Sequence, residues 1–217
     1  MKTLILVTGQ HRSGTSATAG CLERLGVELG TRLMPANNSN PRGYFEDVRV
    51  VNVHDRLLGE LGARWDRPED IPTAWLAQPA THQAMARLGP VLRSFSADTF
   101  AIKDPRAALF MPMWELLCAA EDVRLTVLQP LRKPEAVVNS LVTREGWMPD
   151  RAQKVWRGYQ RAITEWEGMP GAAIDFPHEL WQASAWERVA NCLDVELDIT
   201  RIGRVHGFLD GGLVHHG

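Results

Sequence analysis

Cysteine is scarce: Cys21, Cys118 and Cys192 are the only three in 217 residues, an odd number with no CxxC spacing. Neither a disulfide framework nor a zinc cluster is indicated, and a reducing cytoplasm fits best. Long apolar runs are missing as well. After Met1 and Lys2 the run from Leu4 to Val7 already ends at Thr8 and Gly9. It is too short for an export-signal core and far too short to span a bilayer, so no export and no membrane anchor are expected. Neither sign of charge dominates: 24 Lys and Arg face 26 Asp and Glu, a net charge of -2. Nothing pulls the whole chain toward nucleic acid or an anionic membrane, and any anion site must be local. The 18 glycines and 13 prolines are too few and too scattered for a collagen-like or low-complexity protein.

What is present is a globular composition, 45% hydrophobic and 23% charged, enough for one packed domain over 1–217. Of the 24 basic residues all but four are arginine, a skew that favours bidentate oxyanion contacts or simply follows codon usage. Four short apolar runs, Thr3 to Thr8, Thr99 to Ile102, Arg124 to Gln129 and Ala172 to Phe176, read as buried strands. Helical periodicity lies between them, which predicts an α/β fold of three layers, a mostly parallel sheet flanked by helices. Helices are expected from Thr15 to Leu25 with a stop at Gly26, from Glu46 to Leu61, from about Ala107 to Cys118, and from Pro134 onward. The clearest runs from Asp150 to about Gly168, where Ala152, Val155, Trp156, Tyr159, Ile163 and Trp166 share one face and read as core. The segment 64–96, with Trp65 and Trp75, has looser helical patterning.

In α/β sheets ligands bind beyond the carboxyl ends of the strands, so those loops carry the functional reading. The first is Gly9-Gln10-His11-Arg12-Ser13-Gly14-Thr15-Ser16, a glycine-bearing turn from strand to helix in which amides and a helix N-terminus can enclose a phosphate. A nucleotide-triphosphatase loop requires lysine after its second glycine. Thr15 stands there, and the cation sits inside the loop as Arg12. The expected fold is therefore P-loop nucleotide-binding-like with a displaced cation. That suits a phosphosulfate, whose smaller charge amides and one or two cations can balance without a metal. The second strand ends in Lys103-Asp104-Pro105-Arg106. The third leads through Arg132 into a helix carrying Ser140 and Arg144 one turn apart, a second plausible anion pocket.

The set GQHRSGTS, NPRGYFE at Asn40 to Glu46, IKDPR at Ile102 to Arg106 and LRKPEAVVNSLVTR at Leu131 to Arg144 resembles the bacterial branch of the sulfotransferases. These use 3′-phosphoadenosine 5′-phosphosulfate (PAPS) as donor. The ordered motifs cover about the first two thirds of the chain. The resemblance implies that Arg12, Ser13, Gly14, Thr15 and Ser16 bind the 5′-phosphosulfate, with Arg12 as the catalytic cation. It implies that Arg132 and Ser140 hold the 3′-phosphate, that Lys103 lies near the sulfonate, and that Glu46 is the catalytic carboxylate. The family's basic tail is replaced by Gly211, Gly212, Leu213 and Val214, followed by His215 and His216, so the tail is not expected to contribute to donor binding.

Read from its chemistry, sulfonate transfer needs a base for the acceptor's proton and cations over the oxygen bridging phosphorus and sulfur. Glu46 is the candidate base, with helix capping as its alternative. His54 is a back-up base or a structural histidine, and Gly9 and His11 complete the donor loop. The acceptor is a small molecule or a group on a carrier, with 64–96 as much of its wall. Two rivals stand: a kinase using ATP and magnesium, with Asp104 as the metal-binding aspartate, and a non-catalytic nucleotide-binding protein.

Overall fold

A computed structural model describes residues 1–37, 40–166 and 168–209. Four strands, β1 (Lys2–Val7), β2 (Thr99–Lys103), β3 (Val123–Leu131) and β4 (Gly171–Asp175), form one wholly parallel sheet in the order β2-β1-β3-β4. Each expected apolar run is a strand, with ends differing by a residue or two. β3 runs on through Pro130 to Leu131. A proline is tolerated there because the β1 ladder ends with Val7 opposite Leu128.

Side chains alternate across β1, so Leu4 and Leu6 enter one core and Ile5 and Val7 the other. The first core is closed by α2 (Val48–Glu60), α3 (Pro79–Arg93), α4 (Met111–Ala120) and α6 (Pro149–Glu165). The second is closed by α1 (Thr15–Arg24), α7 (Ala183–Leu193) and α8 (Ile199–Leu209). The result is a three-layer α/β fold. α5 (Pro134–Glu145) packs beside the start of α6 through Val137, Leu141 and Ala152, with Trp156 against them. Among the described residues no helix is long and apolar enough to cross a membrane.

Two helix starts differ from expectation. α2 begins at Val48, not Glu46, because Asp47 is the cap: its Oδ1 accepts from the Arg49 amide at 2.8 Å. The helix after Lys103 is split, with a 3-10 turn over Pro105–Leu109 before α4. Asp104 caps that turn by accepting from the Arg106 amide at 2.9 Å. α1 ends as expected, with Gly26 at φ +93°. In 64–96, α3 buries Thr81, Ala84, Leu88, Val91 and Leu92 and packs on α2, so this part of the segment is a core layer.

The connection after β1 leads outward to β2, and that after β3 leads the other way to β4. The reversal lies between β1 and β3, and the crevice beyond their carboxyl ends is where such sheets bind ligands. The loops that start with Thr8 and with Arg132 flank it.

Candidate functional site

The loop after β1 leads into a helix end whose amides have no side-chain cap. The first intrahelical bond of α1 runs from the Thr18 amide to the Gly14 carbonyl at 3.0 Å, so the amides of Thr15, Ser16 and Ala17 emerge from the helix end. No side chain caps that end, and no acidic residue lies in its first turn. Gly14 stands at φ +101°, and a Cβ there would meet the Phe176 ring at 2.3 Å. Only glycine allows the loop to close against that ring. Ser13 is turned inward, its hydroxyl donating to the Gln10 carbonyl at 2.8 Å.

Arg12 has φ +69°, one of four non-glycine residues described with positive φ. Such a conformation costs about 1 kcal/mol and persists where the surroundings impose it. Here the imposed turn carries the guanidinium to α5, where its Nε donates to Ser140 Oγ at 2.9 Å. Arg132 donates through a terminal nitrogen to the Arg12 carbonyl at 2.9 Å and lies over the Phe176 ring, 5.3 Å from its centroid. The loop after β1 and the helix α5, read separately in the sequence, therefore form one surface. Arg144 faces the same place from α5, over the Tyr44 ring at 5.9 Å. Burial, then Arg144 and Arg132, lower the pKa of Arg12. Arg144 pairs with Glu145 at 3.2 Å, and a bound polyanion would further relieve the crowding of the three guanidiniums.

The other expected residues meet at the end of β2. Lys103 Nζ lies 2.5 Å from Glu46 Oε1 and donates to Ser16 Oγ at 3.2 Å, joining β2 to the first turn of α1. Glu46 Oε2 accepts from Arg106 at 2.8 Å. Glu46, Lys103 and Arg106 are all buried. Arg106 also reaches Asp104 through Nε and Asp55 through its other terminal nitrogen, each at 2.8 Å. Asp104, Glu46 and Asp55 hold its charge, and its pKa rises despite burial. Burial alone would raise Asp104, yet Arg106 and His54 outweigh it and hold the carboxyl well below the usual range.

His54 is fully buried beneath this group. Its Nδ1 lies 2.9 Å from Asp104 Oδ2, and Trp114 Nε1 donates to its Nε2 at 3.2 Å. An indole N–H can only donate, so Nε2 accepts and Nδ1 carries the proton. His11 belongs to a different neighbourhood. Its Nε2 lies 3.0 Å from Tyr159 Oη, and its ring tilts against Trp65 at 4.6 Å. Burial, then Arg106, lower its pKa well below the usual value, keeping the imidazole neutral. Trp65 stacks on Trp147 at 5.5 Å, and Arg151 covers Trp147 at 4.2 Å. Neighbours of this ladder thus cover the indole faces.

Gly9, Arg12, Ser13, Gly14, Thr15, Ser16, Arg132, Ser140 and Arg144 fall around the switch-point crevice, with Glu46 and Lys103 joined to it through Ser16, whereas the His11 ring is turned away to Tyr159 and Trp65. His54 lies one layer deeper. Residues 210 to 216 of the tail lie outside the described residues. Two cavities, of about 520 and 400 Å³, lie elsewhere, one by Asn191 and Ile202 and the other by Asp66 and Lys154. Sequence reasoning gave Arg106 no role and passed over the Asp47 cap. An aspartate directly before an apolar-periodic helix was the available signal for the cap. No known protein family and no curated protein matches the chain.

Proposed function

We propose that this protein is a sulfotransferase that moves a sulfonate group from PAPS to a hydroxyl or amine of a small or carrier-bound acceptor. The observation that carries this reading is the convergence of Arg12, Arg132 and Ser140 on the uncapped N-terminus of α1, at the sheet's switch point. The α1 amides and Arg12 would hold the 5′ side of the donor, and Arg132 with Ser140 the 3′-phosphate. PAPS supplies an activated sulfonate on a leaving group that needs no metal. Arg12 and Lys103 stabilise the charge that grows as the leaving group departs. Glu46 takes the acceptor's proton.

One observation counts against the kinase reading. A magnesium-binding aspartate needs an available oxygen, but Asp104 Oδ1 is held by Arg106 and Oδ2 by His54, with the residue fully buried. The deciding experiment compares the melting temperature with adenosine 3′,5′-bisphosphate (PAP), without metal, and with ATP plus magnesium. Stabilisation by PAP alone is expected. Stabilisation only by ATP with magnesium would overturn the assignment.

A further inference from the structure

Arg106 ends an unbroken chain of buried polar contacts that begins in the core. Trp114 donates to His54, His54 to Asp104, and Asp104 accepts from Arg106 through the same oxygen that caps its turn. Arg106 then holds Glu46 by Oε2 while Lys103 holds Oε1. The two grips differ. Arg106 is fixed on three sides by Asp104, Asp55 and Glu46, whereas Lys103 shares its ammonium between Glu46 and Ser16 at the anion loop. A planar guanidinium bonded to three carboxylates is pinned, and an ammonium on a flexible stem can move to a new anion.

Resting on the sulfotransferase reading, we propose that Arg106 is the positioning residue of the reaction. It retains Glu46 by Oε2 while Lys103 transfers its contact from Oε1 to the donor, which leaves Oε1 ready to accept a proton. The charge that keeps the carboxylate occupied at rest would then become the charge that neutralises the leaving group. The step balances without a further reactant. The acceptor oxygen bonds to sulfur, and the bond from sulfur to the bridging oxygen breaks with its electron pair passing to the phosphate. Lys103 faces that new charge, and the acceptor's proton goes to Glu46 Oε1. Phe45, next to Glu46, has φ +57°, so the backbone presenting the carboxylate is also held in an unusual conformation. Arg106 touches no residue of the anion loop directly among the contacts described. Its charge reaches His11 and lowers the pKa there, and Glu46 is the group through which it bears on proton transfer.

The test combines a structure with a double-mutant cycle, using PAP as ligand and PAPS with water as acceptor. In a crystal of the PAP complex, Lys103 should bond the 5′-phosphate and be parted from Glu46, with Glu46 still on Arg106. Arg106→Gln should bind PAP within about threefold of wild type yet release PAP from PAPS at least about 30-fold more slowly. The same change added to Glu46→Gln should cost no further rate, because the group it positions is already lost. Arg106→Gln also takes the guanidinium from Asp104 and Asp55, so Arg106→Lys, which keeps a charge there but not the three-way fork, replaces it with the same rate loss expected if the glutamine variant does not fold. A further multiplicative loss in the double variant, or Lys103 remaining on Glu46 in the PAP complex, overturns the proposal. So does a wild type that binds PAP but releases none from PAPS. Failure of wild type to bind PAP would instead sink the sulfotransferase reading itself.

Discussion

Arg12 Nε donates to Ser140 Oγ at 2.9 Å, across the crevice between the loop after β1 and the helix after β3. The bond spans the switch point, so the protein's own contacts hold the two halves of the proposed donor site together. Preassembly limits the ordering cost of binding, and a nucleotide with two anionic ends should profit most.

The first prediction follows from that arrangement. PAP should stabilise the fold in the presence of a chelator, and its 3′-dephosphorylated analogue should bind much more weakly. Arg132→Ala removes a charge-assisted contact worth about 1.5–3 kcal/mol, so PAP affinity should drop roughly tenfold to a hundredfold. Calorimetric titration provides the measurement. Equal affinity for the two nucleotides would remove the 3′-phosphate from Arg132 and Ser140.

A second prediction concerns backbone shape. Gly14→Ala places a methyl group where the Phe176 ring stands and forces a left-handed conformation on an L-residue. The conformation alone costs about 1–2 kcal/mol. The loop should reopen, lowering the melting temperature and abolishing PAP binding. Retained affinity would show that the α1 amides do not form the anion cradle.

Arg12 and Lys103 give the third. If both cations face charge that develops only as the leaving group departs, alanine at either position should slow turnover about 10²-fold while changing PAP affinity much less. Lys103→Ala also breaks a buried ion pair, so it should lose stability that Arg12→Ala does not. Its comparison must be made well below the melting temperature. Equal losses in rate and affinity would make the cations simple binding groups.

His11 supplies a pH test. Its pKa in the fold is lowered well below 6.5, first by burial and then by Arg106. As pH falls through the unfolded value, the unfolded chain takes up a proton that the folded chain refuses. Stability contributed by the neutral imidazole is thus present above about pH 6.5 and lost below it, at up to about 1.4 kcal/mol per pH unit. Wild type should therefore lose more stability between pH 7 and pH 5 than His11→Gln. Parallel curves for the two proteins would refute it.

The frame was legible because short buried strands leave contiguous apolar runs, and because Thr8 and Arg132 directly follow two of them. The loop was legible for the same reason: its glycines, arginine and hydroxyls are neighbours in sequence. The chain through Trp114, His54, Asp104, Arg106 and Glu46 was not. Its members are spread over some 70 positions, and only the packing of α2 and α4 on the end of β2 brings them into contact. In sequence Glu46, His54 and Asp104 each carry a separate reading, as base, back-up base and metal-binding aspartate, and nothing joins them to one another or to Arg106 and Trp114. Trp65 and Trp147 were ambiguous for a related reason, since only the fold shows that His11, Arg151 and each other cover their faces.

Glu46 bears on the mechanism itself. Since Asp47 is the α2 cap, two roles remain for Glu46: proton acceptor, or mere counter-ion to Lys103 and Arg106. Glu46→Gln nearly preserves the shape and weakens both ion pairs, so some stability should be lost under either role. Rate separates them. A base replaced by an amide should slow PAPS cleavage roughly 10² to 10⁴-fold and remove the acid limb of the rate profile, with PAP affinity almost unchanged. A counter-ion replaced by an amide should leave the acid limb in place and loosen Lys103, so that rate and affinity fall together. Asp47→Ala is the internal control. It should cost about 1 kcal/mol of stability through the lost cap and leave cleavage near the wild-type rate. If Asp47→Ala slowed cleavage as much as Glu46→Gln, the loss would belong to the start of α2 rather than to the Glu46 carboxylate.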